Sequence, residues 1–134
     1  MQVGDITKQD ASVQLPVPFI GSFNRDASLA IGTQAVTGVG FKPSYVFVQA
    51  NINNDAAMSF GFSDAVSDKA KSDNNNEAAS DYQDISTQCI HLRTGSSIAL
   101  RGTIQSFDAD GFTVDWTKQG APTGTVVLNF MAFK

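Results

Sequence analysis

The stretch "FDADGFTVDWT", Phe107 to Thr117, places Asp108 and Asp110 beside a glycine between two apolar runs. Two carboxylates at this spacing can bind calcium, divide acid and base duties, or do no chemistry. A calcium loop of EF-hand type needs oxygen ligands over more positions and a closing acid about twelve residues in. Here the chain returns at once to alternating hydrophobic residues. Acid and base work would need an enclosing pocket to separate the two proton affinities. Asp-Gly between alternating runs signals a hairpin instead, because Asp tolerates left-handed dihedrals and Gly has no Cβ to oppose them. A water-exposed turn with ordinary ionised carboxylates is predicted.

Cys89 and His91 stand two apart in "CIHLR", so on a strand both face one side. A nucleophilic cysteine needs a base within hydrogen-bond reach, but same-face neighbours lie roughly 6.6 Å apart along a strand. No third, orienting residue is visible. The register that buries Ile90 and Leu92 and exposes Cys89 and His91 fits the alternation better, so a catalytic pair is not expected. The glycines of "VTGVGFKP" superficially match a G-x-G phosphate loop, which requires a helix N-terminus to follow; Pro43 and a strand follow instead. Asn53, Asn74 and their neighbours are read as turn residues rather than sugar contacts. No catalytic residue, cofactor or metal site is predicted, and the single cysteine forms no internal disulfide.

The elements that would position any site are strands. With 134 residues, 42% hydrophobic and 16% charged, the chain suits one domain with one core. "SYVFVQA" is a short apolar run bounded by turn residues. "MSFGFS" sets Met58, Phe60 and Phe62 against Ser59, Gly61 and Ser63. "SIALRGTI" sets Ile98, Leu100, Gly102 and Ile104 against Ala99, Arg101 and Thr103. "FTVDWT" sets Phe112, Val114 and Trp116 against Thr113, Asp115 and Thr117. Period two means one buried face and one wet face. "TVVLNFMAF" differs: Val126, Leu128, Phe130 and Ala132 share one face, Val127, Met131 and Phe133 the other. Both faces are apolar, which predicts a strand covered on both sides or pressed against a partner chain. "PFIGSFN", "TQAVTGV" and "TQCIHLR" bring the tally to about eight strands, with no helical pattern of useful length. The prediction is an all-β, antiparallel β-sandwich of jelly-roll type over residues 18–134.

Residues 1–17 form a separate predicted element, an extended N-terminal arm ending in "PVP". It reads either as a frayed terminus or as an arm crossing onto a neighbouring subunit. "SDAVSDKAKSDNNNEAASDYQDIS", Ser63 to Ser86, reads as a long polar loop too hydrophilic for a core, with a short helical turn around Ala65 to Ala70. The net charge is −4, and the basic residues are scattered, which disfavours nucleic-acid binding. No apolar run follows a basic start and none reaches the roughly 20 residues of a membrane span. A protein made in a cytoplasm, without signal or anchor, is expected.

Three blocks, "VTGVGFKPSYVFVQA", "SFGFSDA" and "SFDADGFTVDW…TVVLNFMAF", resemble a family of small bacteriophage virion proteins. There a Gly-Phe-x-Pro turn leads into a buried strand, an S-x-G-F segment follows, and a "DADGFT" hairpin precedes the last long strand. The resemblance runs from Val36 to the C-terminus and leaves out the arm and the "SDNNN" loop. It implies a non-enzymatic structural role in the virion, in head or tail. The leading expectation is a capsid decoration or cement protein, a homo-oligomer with a trimer favoured, contacting the major capsid protein or other virion proteins. Val3, Ile6, Val13, Leu15 and Val17 of the arm, with Val127, Met131 and Phe133 of the last strand, are the expected contacts. The alternative is a tail or fibre module that binds host-surface glycan through its loops, where Tyr82 is the one obvious ring.

Overall fold

The computed structural model describes residues 16–53, 55–74 and 83–134. Ten strands run through them: β1 (Phe19–Asp26), β2 (Gly32–Val36), β3 (Tyr45–Ile52), β4 (Ala57–Ser63), β5 (Asp68–Asn74), β6 (Gln83–Ile85), β7 (Ile90–Gly95), β8 (Ile98–Asp108), β9 (Gly111–Gln119) and β10 (Thr125–Phe133). They form two antiparallel sheets, of order β1-β10-β3-β4-β5-β6 and β2-β9-β8-β7. The fold is all-β, and every predicted strand segment overlaps an observed one. The first two strands pair with the last two in opposite sheets, β1 with β10 and β2 with β9. The middle of the chain runs as meanders, β3 to β6 and β7 to β9.

One apolar core lies between the sheets. Val46, Val48, Ala50 and Ile52 of β3 and Val126, Leu128, Phe130 and Ala132 of β10 face Leu100 and Ile104 of β8 and Phe112, Val114 and Trp116 of β9. Each set is one period-two face, as the sequence pattern of β8, β9 and β10 predicts. Phe23, Phe112 and Phe130 meet edge-on or tilted, with centroids 5.0–6.0 Å apart, a favoured arrangement for rings with negative faces and positive edges. The buried Trp116 donates its indole N–H to Gln34 Oε1 at 3.1 Å and carries the Arg25 guanidinium 5.0 Å above its ring.

Two readings of the sequence are corrected. The first is the polar loop: Asp68–Asn74 is a strand, with Ala70, Ser72 and Asn74 buried, and Gln83–Ile85 is a short edge strand beside it. Small and amide side chains serve here because β7 crosses close over β4 and β5, and Asn74 Nδ2 donates to the Arg93 carbonyl at 2.5 Å. The predicted helical turn is absent as well. Ala65 has φ +67°, in the left-handed region, within a tight β4–β5 turn held by Asp64. Residues 75–82, including Tyr82, lie outside the described residues.

The second correction concerns the "MSFGFS" alternation. Ser59, Gly61 and Ser63 face inward, while Met58, Phe60 and Phe62 are exposed. The cause is again the crossing strand. A Cβ on Gly61 would sit 1.9 Å from the Cys89 carbonyl oxygen, and Ser59 Oγ accepts the His91 N–H at 3.0 Å. Only small side chains fit under that backbone, so the large ones are turned out.

Candidate functional site

The opening carboxylates are structural. Asp108 and Gly111 pair across the β8–β9 hairpin, leaving Ala109 and Asp110 as its tip. Asp108 accepts hydroxyl bonds from Ser106 at 2.8 Å and Thr113 at 2.7 Å, which hold its carboxyl below the usual range. Asp110 accepts the backbone N–H of Gly38 at 3.0 Å and of Gly40 at 2.6 Å, and its carbonyl accepts that of Val39. Gly38 and Gly40 both have left-handed φ, +87° and +84°, which glycine adopts without steric cost. The "TGVG" loop is therefore an anion cradle filled by the protein's own Asp110. Left-handed backbone at the hairpin falls on Gly111 and not on either aspartate.

Cys89 and His91 are both buried, contrary to the expected register, since Ile90 and Leu92 are buried as well. The strand is covered on its β4–β5 side as well as on its core side. The Cys89 sulfur lies 3.6 Å from the Gly102 carbonyl, and burial, with Asp68 nearby, pushes the thiol up. Burial, reinforced by Arg101 and Arg93, pushes His91 down to about 4. These shifts run opposite to what a thiolate–imidazolium pair requires. Among the described residues no group of three or more His, Cys, Asp or Glu side chains could hold a metal ion.

The most distinctive surface is the outer face of the six-stranded sheet. The register sets Ile20, Met131, Phe47 and Phe62 in one row across β1, β10, β3 and β4. Phe133 pairs with Tyr45 above it, and Phe60 with Gln49 below. Five rings run continuously through this face. Tyr45 and Phe133 stack at 4.4 Å, and Phe47 lies 5.6 Å from Phe62, 6.1 Å from Phe60 and 6.4 Å from Phe133. A depression of about 460 Å³ is lined by Ile20, Phe47, Phe60, Met131 and Phe133, with the Gln49 and Asn129 amides at its side.

Exposure is substantial: Ile20 73%, Phe60 52%, Phe62 46%, Met58 44%, Tyr45 41% and Met131 36%. Together these six side chains expose on the order of 600–700 Å², more than a lone monomer usually leaves in one patch. The rim carries both signs, Lys69, Lys71 and Asp73 on β5 and Asp84 on β6, with Lys71 and Asp84 3.3 Å apart.

Of the contacts expected from sequence, Val127, Met131 and Phe133 do lie together on this outer face. Val17 is exposed just before β1. Val3, Ile6, Val13 and Leu15 lie outside the described residues. Tyr45, Phe47, Met58, Phe60 and Phe62 were missed. The available signal was glycine and serine opposite the large residues in "MSFGFS", the composition of a face lying under another backbone. Comparison with protein-family models, curated proteins and solved structures finds no match.

Proposed function

We propose that this chain is a structural component of a phage particle, a capsid decoration or cement protein. Its outer aromatic face would close against further copies of the same chain. The observation that carries the reading is this exposed face of rings and methionines. Its area approaches the roughly 800 Å² per partner of a standard-size interface. The mixed-sign rim lets a second copy meet the face without net repulsion, and a cyclic trimer is the proposed assembly. The remaining surface would then contact the major capsid protein or other virion proteins. In this reading the two sheets form a sandwich of jelly-roll type, supported by the crossed pairing of the first two and last two strands. Residues 1–17 would act as an exchanged arm. The resemblance to small phage virion proteins supports the setting.

The test is assembly. Phe60→Lys with Phe62→Lys should abolish oligomerisation and particle binding while leaving a folded chain. Unaltered oligomerisation and unaltered particle binding in that variant would refute the reading. A tail or fibre module binding host glycan has one observation in its favour: the Gln49 and Asn129 amides beside the Phe47, Phe60 and Phe133 rings. Saturable binding on a glycan array, lost in Phe60→Lys, would put that reading first.

A further inference from the structure

On the opposite side of the molecule, β7, β8 and the end of β9 enclose a depression of about 240 Å³ lined by His91, Arg93, Ser96, Arg101 and Gln119, with Gln83 of β6 at its border. We infer that this depression is a binding site for a small, doubly charged oxyanion of the phosphate or sulfate class.

The hydrogen-bonding character of the lining supports this. Two guanidinium groups border one depression, and among the described residues no carboxylate lines it. The one ion pair among the described residues, Lys71–Asp84, involves neither arginine. Both arginines are instead held by neutral oxygens. Arg93 Nε donates to the Gly95 carbonyl at 3.1 Å and Arg93 Nη2 to the Ser96 carbonyl at 3.5 Å; Arg101 Nη2 donates to Gln119 Oε1 at 2.5 Å. Neutral acceptors fix the geometry without cancelling the charge, so each fork keeps free N–H groups in a set position. Spending its carbonyl on Arg101 leaves Gln119 its amide NH₂ as a further donor.

A site lined by donors, with two guanidinium groups in its wall, suits an acceptor-only ligand of charge −2. In a chain of net charge −4, the local excess is also the reverse of the overall balance. His91 contributes to the same wall. It is buried, its Nδ1 has no hydrogen-bond partner among the described residues, and the charged groups lining the depression with it are Arg93 on its own strand and Arg101 across the sheet. An anion between the arginines would offset the field that now disfavours its protonation.

The test is a titration of the full chain with sodium sulfate, inorganic phosphate and acetate at constant ionic strength, followed by NMR. Sulfate and phosphate should move the Arg93, Arg101, Gln119 and His91 resonances saturably, with dissociation constants in the millimolar range or tighter. Arg101→Gln and Arg93→Gln should each weaken sulfate roughly ten-fold or more, as loss of a charge-assisted donor does. Lys134→Gln, which removes one charge elsewhere, should change nothing. Each variant is checked for folding by its Trp116 emission, and either arginine variant suffices. Shifts that stay linear and scattered over the surface, equal binding in a folded arginine variant, or acetate binding as tightly as sulfate would each overturn the assignment.

Discussion

Gly61→Ala is the sharpest probe of how β4 is turned. The added Cβ would stand 1.9 Å from the Cys89 carbonyl oxygen, 2.7 Å from the Cys89 carbonyl carbon and 2.7 Å from the Lys69 carbonyl oxygen. All three are backbone atoms of packed strands, so no side-chain rotation relieves them. Restoring ordinary contact requires β7 to lift by more than an ångström, which strains the His91–Ser59 and Asn74–Arg93 bonds. Overpacking of this kind costs about 1–3 kcal/mol, and one weakened buried hydrogen bond adds about 0.5–1.5. Alanine regains about 0.4–1 kcal/mol through the unfolded chain. The net loss is about 0.5–4 kcal/mol, centred near 2. With an unfolding entropy of roughly 0.28 kcal/mol/K for a domain of this size, Tm falls by about 2–14 °C, centred near 8 °C. Thermal unfolding followed by the single, buried tryptophan reads this directly. Phe60→Ser, on the same strand but facing out, should cost less than about 1 kcal/mol at a dilution that keeps the chain monomeric. Gly61→Ala within about 0.5 kcal/mol of wild type, or Phe60→Ser as the worse of the two, would refute the inverted orientation.

Other outcomes follow from the polar groups. Asp110→Ala removes the acceptor for two loop N–H groups and should cost about 1–2 kcal/mol in urea unfolding, with Asp110→Asn in between. His91 is held below its ordinary 6.5, at about 4. The unfolded chain therefore takes up a proton that the folded chain refuses, and stability falls as pH drops from about 6.5 toward 4. His91→Gln should flatten that part of the profile in an anion-poor buffer, as measured by melting temperature against pH. The lowered carboxyl of Asp108 acts in a separate window. Its contribution is full above its ordinary 3.8 and is lost as pH falls through the depressed folded value, so Asp108→Asn should lower the melting temperature above that pH and flatten the acid limb. Ala65→Gly should raise stability by up to about 1 kcal/mol, since the left-handed φ of +67° opposes a Cβ.

The strands of the core were legible because Phe112, Val114 and Trp116 alternate with polar residues and Val46 and Val48 stand in a short apolar run bounded by turn residues; alternation reports two faces. It does not report which face is inside. For β4 that was decided by a non-local contact, the approach of β7 over Gly61, which no period contains. β5 escaped notice because its inner positions, Ala70, Ser72 and Asn74, carry little hydrophobic signal; they lie under the backbone of β7 rather than against large apolar side chains. The outer site was half legible. β10 announced its second apolar face through Val127, Met131 and Phe133, while Phe47, Phe60 and Phe62 belong to it only through strand order. The arginine depression was not legible at all, because the β7–β8 hairpin brings Arg93 and Arg101 to one depression while their charges look scattered along the chain.

The most direct measurement is the mass of the chain in solution by sedimentation equilibrium over a wide concentration range, with wild type beside Phe60→Lys/Phe62→Lys. A wild-type oligomer of three chains, reduced to monomer in the variant while Trp116 stays buried, is the expected result. A wild type that remains monomeric at the highest concentration, or a variant that assembles as wild type does, would contradict the assignment of the aromatic face as the interface between copies.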